Sequence, residues 1–376
     1  MTALRIARIE AQVYRAPIAN PVQTSFGVMR DRPAVLVRIE DYEGAVGWGE
    51  IWCNFPTVGA EHRARILESC VAPILLERVW SDPEQAFAEV TRRLHVLSIQ
   101  TAEPGPIAQA IAGADIALWD LLGKRQGQPL WRLLGGAPEV QTYASGLNPT
   151  DPEILAATKR DEGYTAFKLK VGFGAERDLR NLQALRDLLG AHATLMVDAN
   201  QAWSLDEAIV MSQRIAGFHP LWLEEPILAD SSPQDWQKLA RATPVPLAGG
   251  ENILGENNFD AAIAAGALSV IQPDPGKWGG FSGCLPVARR AVANDRMFCP
   301  HWLGGGVGLV ASCHLKAAVG GPGFVEVDAN PNPLRDLIAR PALARMGGSI
   351  RLSDRPGLGL SDDWAAIAGF RRAHEY

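Results

Sequence analysis

From residue 142 onward, short apolar runs recur about every 23–30 residues, and each is followed by a helical pattern. The runs are Thr142–Ser145, Ala166–Val171, Thr194–Asp198, Leu221–Glu224, Pro246–Gly250, Ser269–Gln272, Arg296–Pro300 and Phe324–Val327. Strands this short, alternating with helices, predict a parallel sheet, because parallel neighbours need a long crossover between them. Eight is the number that closes such a sheet into a barrel.

The chain before about residue 130 reads as α+β. Leu4–Tyr14, Ala34–Glu40 and Ala45–Glu50 alternate as strands do, whereas Ile18–Arg32 and Ile51–Gly59 read as loops. Helices are expected over Ala60–Leu75, over Pro83–Leu97 with Ser81 or Asp82 as N-cap, and over Pro106–Gln126. The expected division is an α+β unit over 1–130, the β/α unit over 131–346, and a segment 347–376, with Ser349–Leu352, that packs back on the first unit.

Charge placement narrows the function. A parallel sheet is covered on both faces, so a charge inside one of its strands has no solvent side. Alternation in Phe167–Val171 turns Lys168 and Lys170 inward, and the same reading turns in Asp198, Asn200, Glu224, Glu251, Asp274, His301 and Glu326. Each stands at the C-terminal end of its strand, where barrel enzymes carry their chemistry. Buried charges need a partner or a metal. Asp198, Glu224 and Glu251 come from adjacent strands and offer only hard oxygen, which suits Mg²⁺. Glu225, of the opposite parity, points away.

Lys168 and Lys170 stand about 6.6 Å apart along their strand, close enough for each charge to lower the other's pKa and make one a general base. Asp274 and His301, at the ends of neighbouring strands, form a dyad in which the carboxylate fixes the imidazole tautomer. The six other histidines fall in helices, loops or the tail. Gly304-Gly305-Gly306-Val307-Gly308 follows the seventh strand and lacks the third glycine of a dinucleotide fingerprint, so it reads as a close-approach loop.

These residues resemble the mandelate racemase/muconate lactonizing enzyme family of the enolase superfamily, in its mandelate racemase-like subgroup. The resemblance runs through Ala117–Leu121, Gly123-Lys124 and Leu133–Gly136. It continues through Lys168-Leu169-Lys170, Asp198-Ala199-Asn200, Glu224-Glu225-Pro226, Gly250-Glu251-Asn252, Asp274, Lys277–Gly280, His301 and Glu326. It implies a modified TIM barrel, (β/α)₇β, under an N-terminal α+β capping domain. It also implies Mg²⁺ on Asp198, Glu224 and Glu251, binding the substrate carboxylate and stabilising an enediolate. Lys170 is the implied base on one face and His301, backed by Asp274, the base or acid on the other. Lys168 would neutralise the carboxylate and depress the Lys170 pKa. Glu326 would hydrogen-bond the enediolate, and Asn200 would support the site. A lysine in place of Asp274 marks the muconate lactonizing branch, which is therefore disfavoured.

The expected reaction is dehydration of a sugar acid to a 2-keto-3-deoxy acid, with racemisation or epimerisation as the alternative. Trp52 and Asn54 on one cap loop, and Arg30 and Arg32 on the other, are expected near the hydroxylated end of such a substrate. A formal charge of −6 provides no basic field for nucleic acid. No His-x-His pair supports a zinc hydrolase. Five scattered cysteines, no leader pattern and no long apolar run lead to the expectation of a cytoplasmic enzyme away from membranes. Its expected partners are a small carboxylate substrate and further copies of the chain.

Overall fold

Alternating hydrophobicity in the first fifteen residues produces a longer hairpin than the sequence suggests. A computed structural model describes residues 3–24, 27–340, 342–361 and 363–374. Strand β1 (Leu4–Gln23) pairs antiparallel with β2 (Val28–Asp41), which pairs with β3 (Val46–Ile51). Most of the expected loop Ile18–Arg32 is therefore strand, with Ser25 and Phe26 outside the described residues. A register shift between Pro17 and Val22 absorbs the prolines, so polar composition there gives way to pairing. Helix α1 (Gly59–Ile66) runs through a π-helical turn, Leu67–Val71, into α2 (Ala72–Leu76). A two-residue strand, β4 (Val79–Trp80), pairs with β1.

Two long helices complete the cap. The Asp82 side chain accepts from the Gln85 N–H at 2.7 Å and starts α3 (Pro83–Gln100), with Pro83 in the first turn. Helix α4 (Pro104–Arg125) is buried continuously from Gln109 to Gly123. A helix apolar on every side must be enclosed on every side. Here the cap sheet covers one flank and the barrel another. A short α5 (Leu130–Leu133) leads into the barrel.

The barrel strands are β5 (Glu139–Leu147), β6 (Ala166–Lys170), β7 (Thr194–Asp198) and β8 (Leu223–Glu224). The circuit continues with β9 (Leu247–Gly249), β10 (Val270–Ile271), β11 (Met297–Phe298) and β12 (Val325–Asp328). Each overlaps one of the eight apolar runs. Crossover helices between them are α6 (Pro152–Asp161), α7 (Ala175–Leu189), α8 (Leu205–Ala216) and α9 (Pro233–Ala242). Then follow α10 (Glu256–Ala265), α11 (Gly280–Ala293) and α12 (Gly306–Val319). Parallel ladders run from β5 to β11, and β12 returns to pair with β5. Seven helices between eight strands make the fold (β/α)₇β. Among the described residues no ladder joins β11 to β12. At that seam the Phe324 N–H reaches Cys299 Sγ (3.3 Å) and the Trp302 N–H reaches a Glu326 oxygen (3.1 Å).

The C-terminal segment divides. After α13 (Pro333–Ala339), the hairpin of β13 (Leu343–Met346) and β14 (Ser349–Leu352) adds to β5, Ser349 lying opposite Gln141. Ser349–Leu352 thus extends the barrel sheet and not the cap. The reason is that Glu139–Gln141 lies before the part of β5 that pairs with β12, and it takes β14 as its partner. The rest of the segment returns to the cap: the Leu358 N–H donates to Asp120, Trp364 packs on Trp48 of β3, and β15 (Arg371–Arg372) pairs with Val13 and Tyr14.

Candidate active site at the barrel mouth

Inside the barrel, a step of two residues along a strand changes floor into site. Tyr143, Ala166, Met196, Trp222, Ala248, Val270 and Cys299 form one buried apolar cluster across successive strands. Two residues further along stand Ser145, Lys168, Asp198, Glu224, Gln272 and His301, and a second step brings Lys170 and Asp274. Period-two geometry makes both layers point inward. All these polar residues are buried, and the Lys168 ammonium lies 5.3 Å from the centre of the Tyr143 ring beneath it.

Glu251 breaks the rule. With Ala248 inward, alternation alone would turn Gly250 in and Glu251 out. Gly250 has φ +140°, where an added Cβ would meet the Gln272 N at 2.8 Å. The backbone turn available to glycine there brings Glu251 round to the site. Glu251 thus reaches the site through the Gly250 conformation and not through strand parity.

The charges form an alternating chain around the mouth. Lys170 Nζ lies 2.5 Å from Asp198 Oδ2 and 2.7 Å from Asn200 Oδ1. Lys168 Nζ spans Glu224 Oε1 (2.6 Å), Glu326 Oε1 (2.9 Å) and Asp198 Oδ2 (3.8 Å). His301 Nδ1 lies 2.6 Å from Asp274 Oδ2, while Nε2 faces Glu251 Oε2 (2.8 Å) and Glu326 Oε2 (3.5 Å). Lys277 closes the chain on Glu251 Oε2 at 3.0 Å and on Asn252 Oδ1 at 3.1 Å.

These pairings reverse one expectation. Burial and the Lys168 charge both oppose the charge on Lys170, but the adjoining Asp198 carboxylate outweighs them and the pKa is raised. Lys168 is raised in the same way, burial being outweighed by Glu224 and Glu326. In this arrangement the nearest charge to each lysine is a carboxylate, not the other lysine. Burial also opposes His301⁺, yet Glu251, Glu326 and Asp274 hold its pKa well above the ordinary range. Glu326 is lowered to about 2, because Lys168 and His301 overcome its burial.

Each of the three expected metal ligands is turned to a cation of the chain, so no three acidic, histidine or cysteine side chains form a ready metal cluster among the described residues. The donor chemistry nonetheless fits a hard divalent ion. Asp198, Glu224 and Glu251 supply only carboxylate oxygen, and the Lys168 ammonium already spans the first two.

Several supporting residues carried no assignment from sequence. The Ser145 hydroxyl donates to Glu326, Gln272 Nε2 donates to Glu224 Oε2 (2.7 Å), and Trp222 Nε1 donates to the same oxygen (3.1 Å). Gln272, two residues before Asp274, was open to the alternation argument. Glu225, left out by parity, is buried against Asn252 and Gln201 beside the site.

The cap residues differ more from expectation. Arg32 lies within β2, 2% exposed, with its guanidinium on Asp328 and on the Pro331 carbonyl. Its donors tie cap to barrel, which removes it from the set of substrate contacts. Asn54 Nδ2 donates to the Leu303 carbonyl at 2.5 Å, so this amide also braces a barrel loop. Trp52 stays at the site's edge. Lys277 Nζ sits 4.7 Å from its ring centre, and its buried Nε1 has no hydrogen-bond partner among the described residues.

Residues 8–135 match the mandelate racemase/muconate lactonizing enzyme N-terminal domain, and residues 153–366 match the enolase C-terminal domain-like family. The chain is 31% identical to D-galactarolactone cycloisomerase of Agrobacterium fabrum, over 98% of this chain and 99% of that one. It is 33% identical to 3,6-anhydro-alpha-L-galactonate cycloisomerase of Streptomyces coelicolor (96% and 98%). Arabinonate dehydratase of Saccharolobus solfataricus is 28% identical (87% of each). Among solved structures, a mandelate racemase/muconate lactonizing enzyme from Bordetella bronchiseptica has TM-score 0.92 and 53% identity, covering 98% of this chain and 99% of its own. A racemase from Streptomyces coelicolor with bound magnesium has TM-score 0.87 and 31% identity, covering 98% and 100%. With both halves of the chain matched and both halves of the fold in place, the chain belongs to the mandelate racemase/muconate lactonizing enzyme family and is an enzyme of the enolase superfamily.

Proposed function

We propose that this enzyme removes the proton α to the carboxylate of a sugar acid and expels the oxygen on the β-carbon, giving a 2-keto-3-deoxy acid and water. The observation that carries this reading is the pair of proton-transfer groups on separate parts of the mouth. Lys170 ends the second barrel strand, and His301, set by Asp274, follows the seventh. Mg²⁺, held by Asp198, Glu224 and Glu251, supplies charge stabilisation for the ionising substrate when bound.

The chain's own groups divide the remaining work. With Asp198 drawn away from it, Lys170 Nζ loses the carboxylate that holds its proton, is depressed by the Lys168 charge, and takes the α-proton on one face. His301 Nε2 delivers a proton to the departing oxygen, so the C–O bond breaks as the carbon–carbon double bond of the enol forms. The enol then tautomerises to the keto acid. Lys168 offsets substrate charge from the floor side, and Glu326 and Asn200 orient the groups they touch. Trp52, beside Lys277, faces the part of the substrate furthest from its carboxylate.

A second reading is favoured by the two relatives named as cycloisomerases. If the leaving oxygen stays tethered to the carbon skeleton, the same proton abstraction and C–O cleavage yield an isomer and no water. One panel tests both: four- to six-carbon aldonic and aldaric acids with their lactones and anhydro forms, scored for α-keto acid and product mass. Keto acid at the mass of the substrate less water supports dehydration, and keto acid at unchanged mass supports cycloisomerisation. An inert panel, with racemisation or epimerisation of another α-substituted acid, overturns both.

A further inference from the structure

Two buried carboxylates of the cap sit on the N-termini of two barrel helices. Asp115, in the middle of α4, accepts the N–H groups of Phe281 (2.7 Å) and Ser282 (3.0 Å) in the first turn of α11, and the Ser282 hydroxyl as well. Glu50, in β3, accepts the Gly305 N–H (2.5 Å) and the Gly308 N–H (2.9 Å) at the start of α12. The opening N–H groups of a helix have no partner within it and favour a negative charge. Neither helix has a side-chain cap of its own. Each takes its cap from the other domain.

The two helices are the ones that follow the dyad strands. Asp274 lies between β10 and α11, and His301 between β11 and α12. The chain that leaves β3 makes further contacts at alternate residues. Beyond Glu50, the Trp52 N–H reaches the Gly276 carbonyl (3.3 Å), and Asn54 reaches the Leu303 carbonyl (2.5 Å). Positions 50, 52 and 54 thus grip the loops bearing both dyad members. The glycines of these loops fit the grip. A Cβ on Gly280 would stand 2.2 Å from Asp115 Oδ2, and one on Gly305 would stand 2.4 Å from Glu50 Oε1.

We propose that Glu50 and Asp115 are positioning residues that set the His301–Asp274 geometry from the cap by capping α12 and α11 in trans. Neither touches the reacting atoms. They act by fixing where two loops begin, and a displacement of about 1 Å at a catalytic group can cost about a hundredfold in rate. The inference rests on His301 acting as the proton-transfer group proposed above.

The test uses the full chain labelled with ¹³Cε1-histidine, with the His301 resonance identified by its loss in His301→Asn. Above about pH 7, where burial no longer keeps the Glu50 and Asp115 carboxyls protonated, Glu50→Gln and Asp115→Asn keep the side-chain shape and remove the charge. Both are expected to shift or broaden the His301 resonance at constant pH, while Mg²⁺ affinity by calorimetry stays within about threefold. With a substrate in hand, kcat falls by about ten- to a hundredfold and KM changes little. Gly305→Ala, which blocks the approach of Glu50, is expected to reproduce Glu50→Gln, and Asp115→Asn carries the test if position 305 or 50 does not fold. Folded variants with an unmoved His301 resonance overturn the proposal. The resonance needs no substrate, so failure of the sugar-acid reading leaves this result independent.

Discussion

Arg32 of the cap and Asp328 of the barrel form an ion pair in which each side chain is 2% exposed. Asp328 is further held by Arg335 and by the N–H and side-chain amide of Asn330, two residues beyond the Glu326 that faces Lys168 and His301.

A buried charge that loses its partner is costly, about 3–5 kcal/mol. Arg32→Ala is therefore expected to destabilise the enzyme by about that amount in urea denaturation, with Mg²⁺ absent so that ligand binding does not mask the loss. A cost below about 1 kcal/mol would mean that water already reaches the pair.

Asp198, Glu224 and Glu251 are expected to be the seat of the metal requirement. Chelation should abolish turnover and added Mg²⁺ should restore it, while Asp198→Asn should weaken Mg²⁺ binding at least about tenfold by calorimetry. Wild-type affinity in Asp198→Asn would remove that residue from the ligand set.

Lys170 and His301 should be separable by solvent exchange. In D₂O, His301→Asn is expected to lose overall turnover yet still exchange the α-proton of a stereoisomer presented to Lys170, and Lys170→Ala to lose that exchange. Retention of every exchange reaction by both variants contradicts the assigned roles.

The carboxyl of Glu50 titrates in a direction that stability measurements can read. Burial pushes it from 4.5 to about 7, against the opposing N–H donors of Gly308, Gly305 and Val307. Between those values the folded state holds a proton that the unfolded state has released. Stability from this group is thus greatest below pH 4.5, declines as pH rises towards about 7, and is level above it. Glu50→Gln removes that dependence. Relative to wild type, the variant should gain about 2–3 kcal/mol between pH 5 and pH 8 in urea denaturation. A difference that does not change with pH counts against the raised carboxyl.

Much of the barrel was legible because a strand covered on both faces cannot carry a charge without a reason. Lys168, Asp198, Glu224, Asp274 and His301 each stood out against an apolar run, and each is buried at the mouth. What failed was whatever depended on distant partners. Ile18–Arg32 looked like a loop because its prolines and polar residues ignore the pairing that β2 provides. The raised pKa of Lys170 was hidden because the sequence shows its neighbour Lys168 and not the Asp198 oxygen 2.5 Å away. Arg32 looked available for substrate because Asp328 lies far along the chain. Glu251 was aimed by a glycine conformation that alternation does not contain.

The capping of α11 and α12 by Asp115 and Glu50 has a bearing on how the protein can be taken apart. A barrel expressed alone would expose the ends of the two helices that follow Asp274 and His301. A hybrid joining this barrel to a foreign cap would need an acid at both places and room for it beside Gly280 and Gly305. The boundary between the halves is continuous in sequence, but as an engineering joint it is keyed at two points, and both keys lie beside the loops that carry Asp274 and His301.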